Sequence, residues 1–152
     1  MSHQTRIFNH TPKIFMDGTL DWDTDTFKGA LLSSGYTFSG THVSWESLSS
    51  YEVSGTGYTA GGVTLSMTTP SVSGVTTTFD LSDASFTNLT VDFRHFMIYA
   101  VKTESGVTNP PVALITFRDS EDTPTDISLS AVNFSLQFNA DGIFRTVIKN
   151  NS

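Results

Sequence analysis

The sequence has no cysteine. That excludes disulfides, thiolate metal sites, a cysteine nucleophile and thiol redox switching. Charge is also scarce. Asp, Glu, Lys and Arg make up 15% of the 152 residues, against about 25% in typical domains. Positive charge is scarcest, with 8 Lys and Arg against 15 Asp and Glu and a formal net charge of −7. Phosphate backbones require clustered Lys and Arg, so nucleic acid is not expected as a partner. No apolar run approaches the roughly 18 residues of a membrane span, so no membrane is expected either. The opening Met1-Ser2-His3-Gln4-Thr5-Arg6 lacks the apolar core of a secretory signal, and synthesis in a cytoplasm is expected. Strong helix formers are thin, and no amphipathic helix of useful length appears.

What is abundant is hydroxyl. The chain has 23 Thr and 20 Ser, with 12 Phe as the dominant aromatic. Thr suits strands because its branched Cβ packs well on a pleated sheet. Length gives a prior of one domain, at about 150 residues each, and such a chain buries about two-thirds of its unfolded surface. These features point to an all-β fold: an antiparallel β-sandwich of about eight strands, a jelly roll being one form of it. A surface this poor in charge suits a protein that lives against another, because charge is what keeps lone sheets from pairing edge to edge.

Residues 1–14 read as an N-terminal arm or edge strand. Ile7, Phe8, Ile14 and Phe15 surround Pro12, which limits the segment to an edge or a broken strand. Asp17-Gly18 marks a turn. Phe27 to Ser33 reads as a strand, and the adjacent Leu31 and Leu32 suggest burial on both faces. Residues 33–62 form a long Ser/Gly/aromatic loop, with Trp45-Glu46-Ser47-Leu48 as one helical turn capped by Ser44. Thirty irregular residues inside one domain tend to be functional. Period-two alternation then marks Val63–Met67 and Val75–Leu81, with Val75, Phe79 and Leu81 inward. Ala84-Ser85-Phe86 reads as a short element. From Leu89 to Lys102 the apolar parity flips at Arg94-His95, which predicts a bulge or a change of sheet. Val112–Phe117, Ile127–Leu129 and Asn133–Phe138 follow, and Asp141-Gly142 signals a hairpin into Ile143–Ile148. Residues 15–152 thus read as a single sandwich domain.

The chemical motifs argue for a non-enzyme. Asp21, Asp23 and Asp25 alternate as calcium ligands do, but Thr26 and Leu32 stand where an EF-hand needs Gly and Glu. The glycine-rich Ser54–Gly62 stretch lacks the Gly-Lys-Ser/Thr ending of a phosphate loop. It reads instead as backbone that needs positive φ or close approach. His3, His10, His42 and His95 show no metal-ligand spacing, and no Gly-x-Ser-x-Gly elbow marks a nucleophile. No cofactor and no metal is expected. In the acidic loop from Arg118 to Asp126, Asp119, Glu121 and Asp122 are candidates to meet a basic patch on a partner. Asn-x-Ser/Thr triplets such as those beginning at Asn88, Asn133 and Asn150 carry little weight without a secretion signal.

Three stretches together resemble a known class. They are Phe15-Met16-Asp17-Gly18-Thr19-Leu20-Asp21-Trp22 running into Ala30-Leu31-Leu32; Glu52-Val53-Ser54-Gly55-Thr56-Gly57-Tyr58-Thr59-Ala60-Gly61-Gly62-Val63; and Phe138-Asn139-Ala140-Asp141-Gly142-Ile143. In this order and spacing they resemble small virion structural proteins of tailed bacteriophages, a class that includes head decoration or cement proteins. The resemblance implies a non-enzymatic β-sandwich on the capsid exterior that binds the major capsid protein, as a homo-oligomer such as a dimer or trimer. It supplies no catalytic residues to carry over. Two rival expectations stand beside it: a tail, collar or adaptor protein, and a carbohydrate-binding sandwich with exposed aromatics. The expected contact residues are Ile7, Phe8, Ile14 and Phe15 of the arm, Trp45, Tyr51 and Tyr58 of the long loop, and the acidic residues just named.

Overall fold

The computed structural model describes residues 2–138 and 142–147. In chain order the elements are β1 (Ser2–Ile7), α1 (Thr11–Met16), β2 (Phe27–Leu32), two single 3-10 turns (Trp45–Ser47 and Ser49–Tyr51), β3 (Val63–Leu65), β4 (Ser71–Ser73), β5 (Thr76–Phe79), β6 (Ala84–Phe93), β7 (His95–Ala100), β8 (Thr103–Glu104), β9 (Val107–Thr108), β10 (Pro111–Arg118), β11 (Ile127–Leu136) and β12 (Phe144–Val147). The fold is all-β and sandwich-like. Among the described residues twelve strands replace the expected eight or so, because short pairs such as β8–β9 are too brief to show a period-two pattern.

The centre is a five-stranded antiparallel sheet in the order β1-β10-β7-β2-β3. Its three inner strands are buried almost throughout, as their continuous apolar runs require. Side chains alternate between the two faces. Phe27, Leu31, Phe96, Ile98, Ala113 and Ile115 face one core, shared with Leu89, Val91 and Phe93 of β6. Ala30, Leu32, Met97, Tyr99 and Leu114 face a second, shared with Phe8, Tyr36, Trp45 and Leu48. The adjacent leucines at 31 and 32 therefore fill opposite cores, as their sequence suggests.

The parity flip at Arg94 is a change of sheet. β6 pairs with β11, and one residue later β7 pairs with β2 and β10. The short element at Ala84 and the run from Leu89 are one strand, joined through a kink. Asn88 takes φ +52°, so Thr87 and Asn88 are both exposed before burial resumes at Leu89. β11 carries matching irregularities between Leu129 and Phe134, with Ala131 at φ +53°.

The N-terminal segment splits at Pro12. Ser2–Ile7 pairs along its whole length with β10 as the sheet edge. Pro12 then opens α1, where its missing N–H costs nothing. The helix ends at Asp17, and Gly18 takes φ +79°. The Asp17 carboxylate accepts from Lys13 Nζ, from the Thr19 hydroxyl and from the Thr19 N–H. Those bonds, Lys13 first, hold its pKa down to about 2.

Two expectations fail locally. Val75 is exposed rather than inward, because Gly74 and Val75 form the two-residue turn between β4 and β5. The expected hairpin at Asp141-Gly142 has Asp141 outside the described residues, as are Asn139 and Ala140. The strands on either side do not pair with each other: β11 lies on β6, and β12 on β5.

Candidate functional site

The expected contact residues divide sharply. Phe8 and Ile14 are 1% and 3% exposed and sit in the chain's own cores. Ile7 is half-buried against the first core. Phe15 packs among aromatics, 5.7 Å from Trp22 and 6.2 Å from Phe79 between ring centroids. The apolar side chains of the segment are thus committed inward by the pairing of β1 and the turn of α1. Trp45 is 7% exposed and lies flat on Tyr99, with centroids 4.5 Å apart and planes 5° off parallel. Of the Trp and Tyr side chains, Tyr51 alone is exposed.

Tyr58 holds the glycine-rich stretch in place. Its hydroxyl donates to Glu52 Oε1 at 2.6 Å and accepts from the Leu31 N–H at 3.0 Å. The same carboxylate oxygen accepts from the Gly61 N–H at 2.6 Å, and Tyr99 donates to the Gly61 carbonyl at 2.7 Å. Burial, then the Glu52 carboxylate, pushes the Tyr58 pKa far up, so the ring stays a neutral donor. Two glycines meet backbone that leaves no room for a side chain. A Cβ on Gly57 (φ +77°) would stand 2.5 Å from the Asn88 carbonyl oxygen. One on Gly62 (φ +81°) would stand 2.0 Å from that of Gly29. The most distinctive stretch of the sequence is therefore a clamp that fastens the long loop to β2 and β6. Ser44, expected to cap the turn at Trp45, instead donates its hydroxyl to Glu46 Oε2.

The acidic loop is largely engaged with its own chain. Asp119 Oδ1 accepts the N–H groups of Glu121 and Thr123. Arg118 donates to the Asp122 carbonyl and lies 3.7 Å from its carboxylate, while Arg94 Nε donates to Asp126 at 2.8 Å. Glu121 and Asp122 remain exposed. Of the three candidate carboxylates, Asp122 alone has an arginine of its own chain beside it. Asp25 is likewise paired with Lys102 at 2.9 Å. No group of three or more His, Asp or Glu among the described residues is placed to hold a metal ion.

A surface suited to a large partner lies away from the expected aromatic residues. β6 and β11 contribute ten residues each, and Asp92 is their one charged residue. Their outward side chains include Ser85, Thr87, Thr90, Ser128, Ser130 and Val132. β11 has a named strand on one side only among the described residues. The kink at Ala131 interrupts this edge, which disfavours continuation of the ladder. The signal was present in the sequence as the charge-free run Ile127–Leu136. Compared with known proteins, the chain matches no family model, no curated protein and no solved structure.

Proposed function

We propose that this chain is a non-enzymatic structural protein of a phage virion, a decoration or cement protein that binds the assembled major capsid shell and stabilises it. The observation that carries the reading is the broad, nearly uncharged hydroxyl face of β6 and β11. Interface cores are depleted in charge in the same way. The all-β fold and the three motif stretches that resemble small virion proteins support it. A protein that binds only the assembled shell raises shell stability by mass action. Repeated copies multiply a modest contact into a large effect. A homo-oligomer on the capsid exterior fits the same face.

The test is to incubate purified protein with capsids stripped of it, then sediment and melt them. Saturable binding with a raised shell melting temperature is expected. Ser130→Lys, which puts a charge on the face without touching the core, should weaken that binding and leave the free chain's melting temperature unchanged. Failure to bind shells, with co-sedimentation on isolated tails, would overturn the cement reading in favour of a tail or collar protein.

A further inference from the structure

Three of the chain's four arginines, Arg6, Arg94 and Arg118, line one cavity of about 190 Å³ on the long-loop side of the central sheet. The strand register places them. Gln4, Thr116 and His95 stand opposite one another across β1, β10 and β7. Arg6 lies two residues from Gln4, and Arg118 two residues from Thr116, so both share that face. Arg94 joins them at the crossing from β6 to β7, and Tyr36 and Phe38 close the rim from the long loop.

Their pairing is incomplete. The chain has 15 carboxylates, yet Arg6 forms no ion pair with any described residue; its guanidinium sits 5.2 Å from the Phe38 ring centroid. Two buried side-chain nitrogens among the described residues lack a hydrogen-bond partner, Arg118 Nε and His95 Nε2, and both residues line this cavity. Such orphans are rare in folded proteins. His95 is 5% exposed, and its Nδ1 is 2.9 Å from the Thr116 hydroxyl. Burial first, then the positive charges of Arg94 and Arg6, hold its pKa down to about 4 against the opposing pull of the Tyr36 carbonyl and Asp126. The charges of Arg94 and Arg6 are thus close enough to be felt at one point.

We propose that this cavity is a binding site for a small tetrahedral oxyanion with the size and charge of inorganic phosphate. Guanidinium forks match oxyanion geometry and strengthen when the partner is charged. Arginines repel metal cations, and a neutral ligand would leave Arg6 without a counter-charge. The site is independent of any virion partner, so its test does not depend on shell binding.

The full chain is titrated with sodium phosphate at fixed ionic strength and neutral pH, followed by amide and imidazole NMR, with acetate as the planar carboxylate arm. Saturable shifts confined to Arg6, Arg94, His95, Thr116 and their neighbours are expected, with Kd about 1 mM or tighter. Arg6→Gln should weaken binding at least about tenfold, and Lys13→Gln, on exposed α1, should leave it unchanged. If Arg6→Gln does not fold, Arg94→Gln replaces it, and the titration of the unaltered chain stands by itself. Absence of saturation by about 20 mM phosphate, equal affinity in the arginine variant, or acetate binding as tightly as phosphate would each overturn the proposal.

Discussion

One face of the central sheet is covered by two ten-residue strands, the other by the irregular part of the long loop that carries Tyr36, Trp45 and Leu48. Both coverings exclude water. Leu48 in the irregular layer is as fully buried as Leu89 in the regular one. They differ in how their backbones are satisfied. β6 and β11 satisfy each other through a ladder. The long loop has no ladder of its own and borrows partners: Val53 donates to Leu31, Trp45 donates to Asn109, and Thr56 accepts from Thr90. A buried irregular segment is tolerable when such outside partners exist. The regular covering leaves an even hydroxyl face outward. The irregular one leaves a polar cavity rimmed by arginines.

The comparison can be broken by mutation, and the largest effect should come from matched core truncations. Phe93→Ala in β6 should cost about 3–5 kcal/mol, and Leu48→Ala in the long loop about 2–5 kcal/mol, both read by denaturant melts. A cost below about 1 kcal/mol for Leu48→Ala would mean that the second layer is loose.

Acid should strike the loop side through His95. Its folded pKa is about 4 against an ordinary 6.5. The unfolded chain therefore takes up the proton first as pH falls. This part of the stability is whole above about 6.5, drains between about 6.5 and 4, and amounts to roughly 3 kcal/mol when gone. His95→Gln should flatten that segment of the stability–pH curve.

Gly62→Ala should destabilise by about 2 kcal/mol or more, since it adds a Cβ against the Gly29 carbonyl at a positive φ. Tyr58→Phe removes one donor to Glu52 and should cost about 1–2 kcal/mol, visible as a lower melting temperature. Lys13→Ala removes an exposed ion pair with Asp17 and should change stability by less than about 0.5 kcal/mol.

These differences also explain what the sequence made legible. A continuous apolar run revealed β10, and alternation revealed the inner residues of β6 and the sheet change at Arg94, because a parity flip is a local signal. Leu31-Leu32 announced a strand buried on both sides. The second layer was not legible as a layer. Trp45, Tyr36 and Leu48 are scattered through Ser and Gly with no period, so their common destination against Tyr99 and Leu114 depends on tertiary contacts. The same holds for the arginines. Arg6, Arg94 and Arg118 are far apart in sequence and meet only through the register of β1, β10 and β7. The acidic loop carries Arg118 at its own start, four residues from Asp122, whereas the Arg94 partner of Asp126 comes from a distant strand crossing. Asp141-Gly142 has the composition of a hairpin, yet its flanking strands serve different sheets.

The claim on which the rest depends is that residues 33–62 are a layer of the core and not a free docking loop. Native-state hydrogen exchange of the isolated chain tests it most directly. Protection of the Ser33, Trp45 and Val53 amides approaching that of the β7 amides is the predicted result. Exchange of those three amides at the rate of an unstructured peptide, while β7 stays protected, would contradict it.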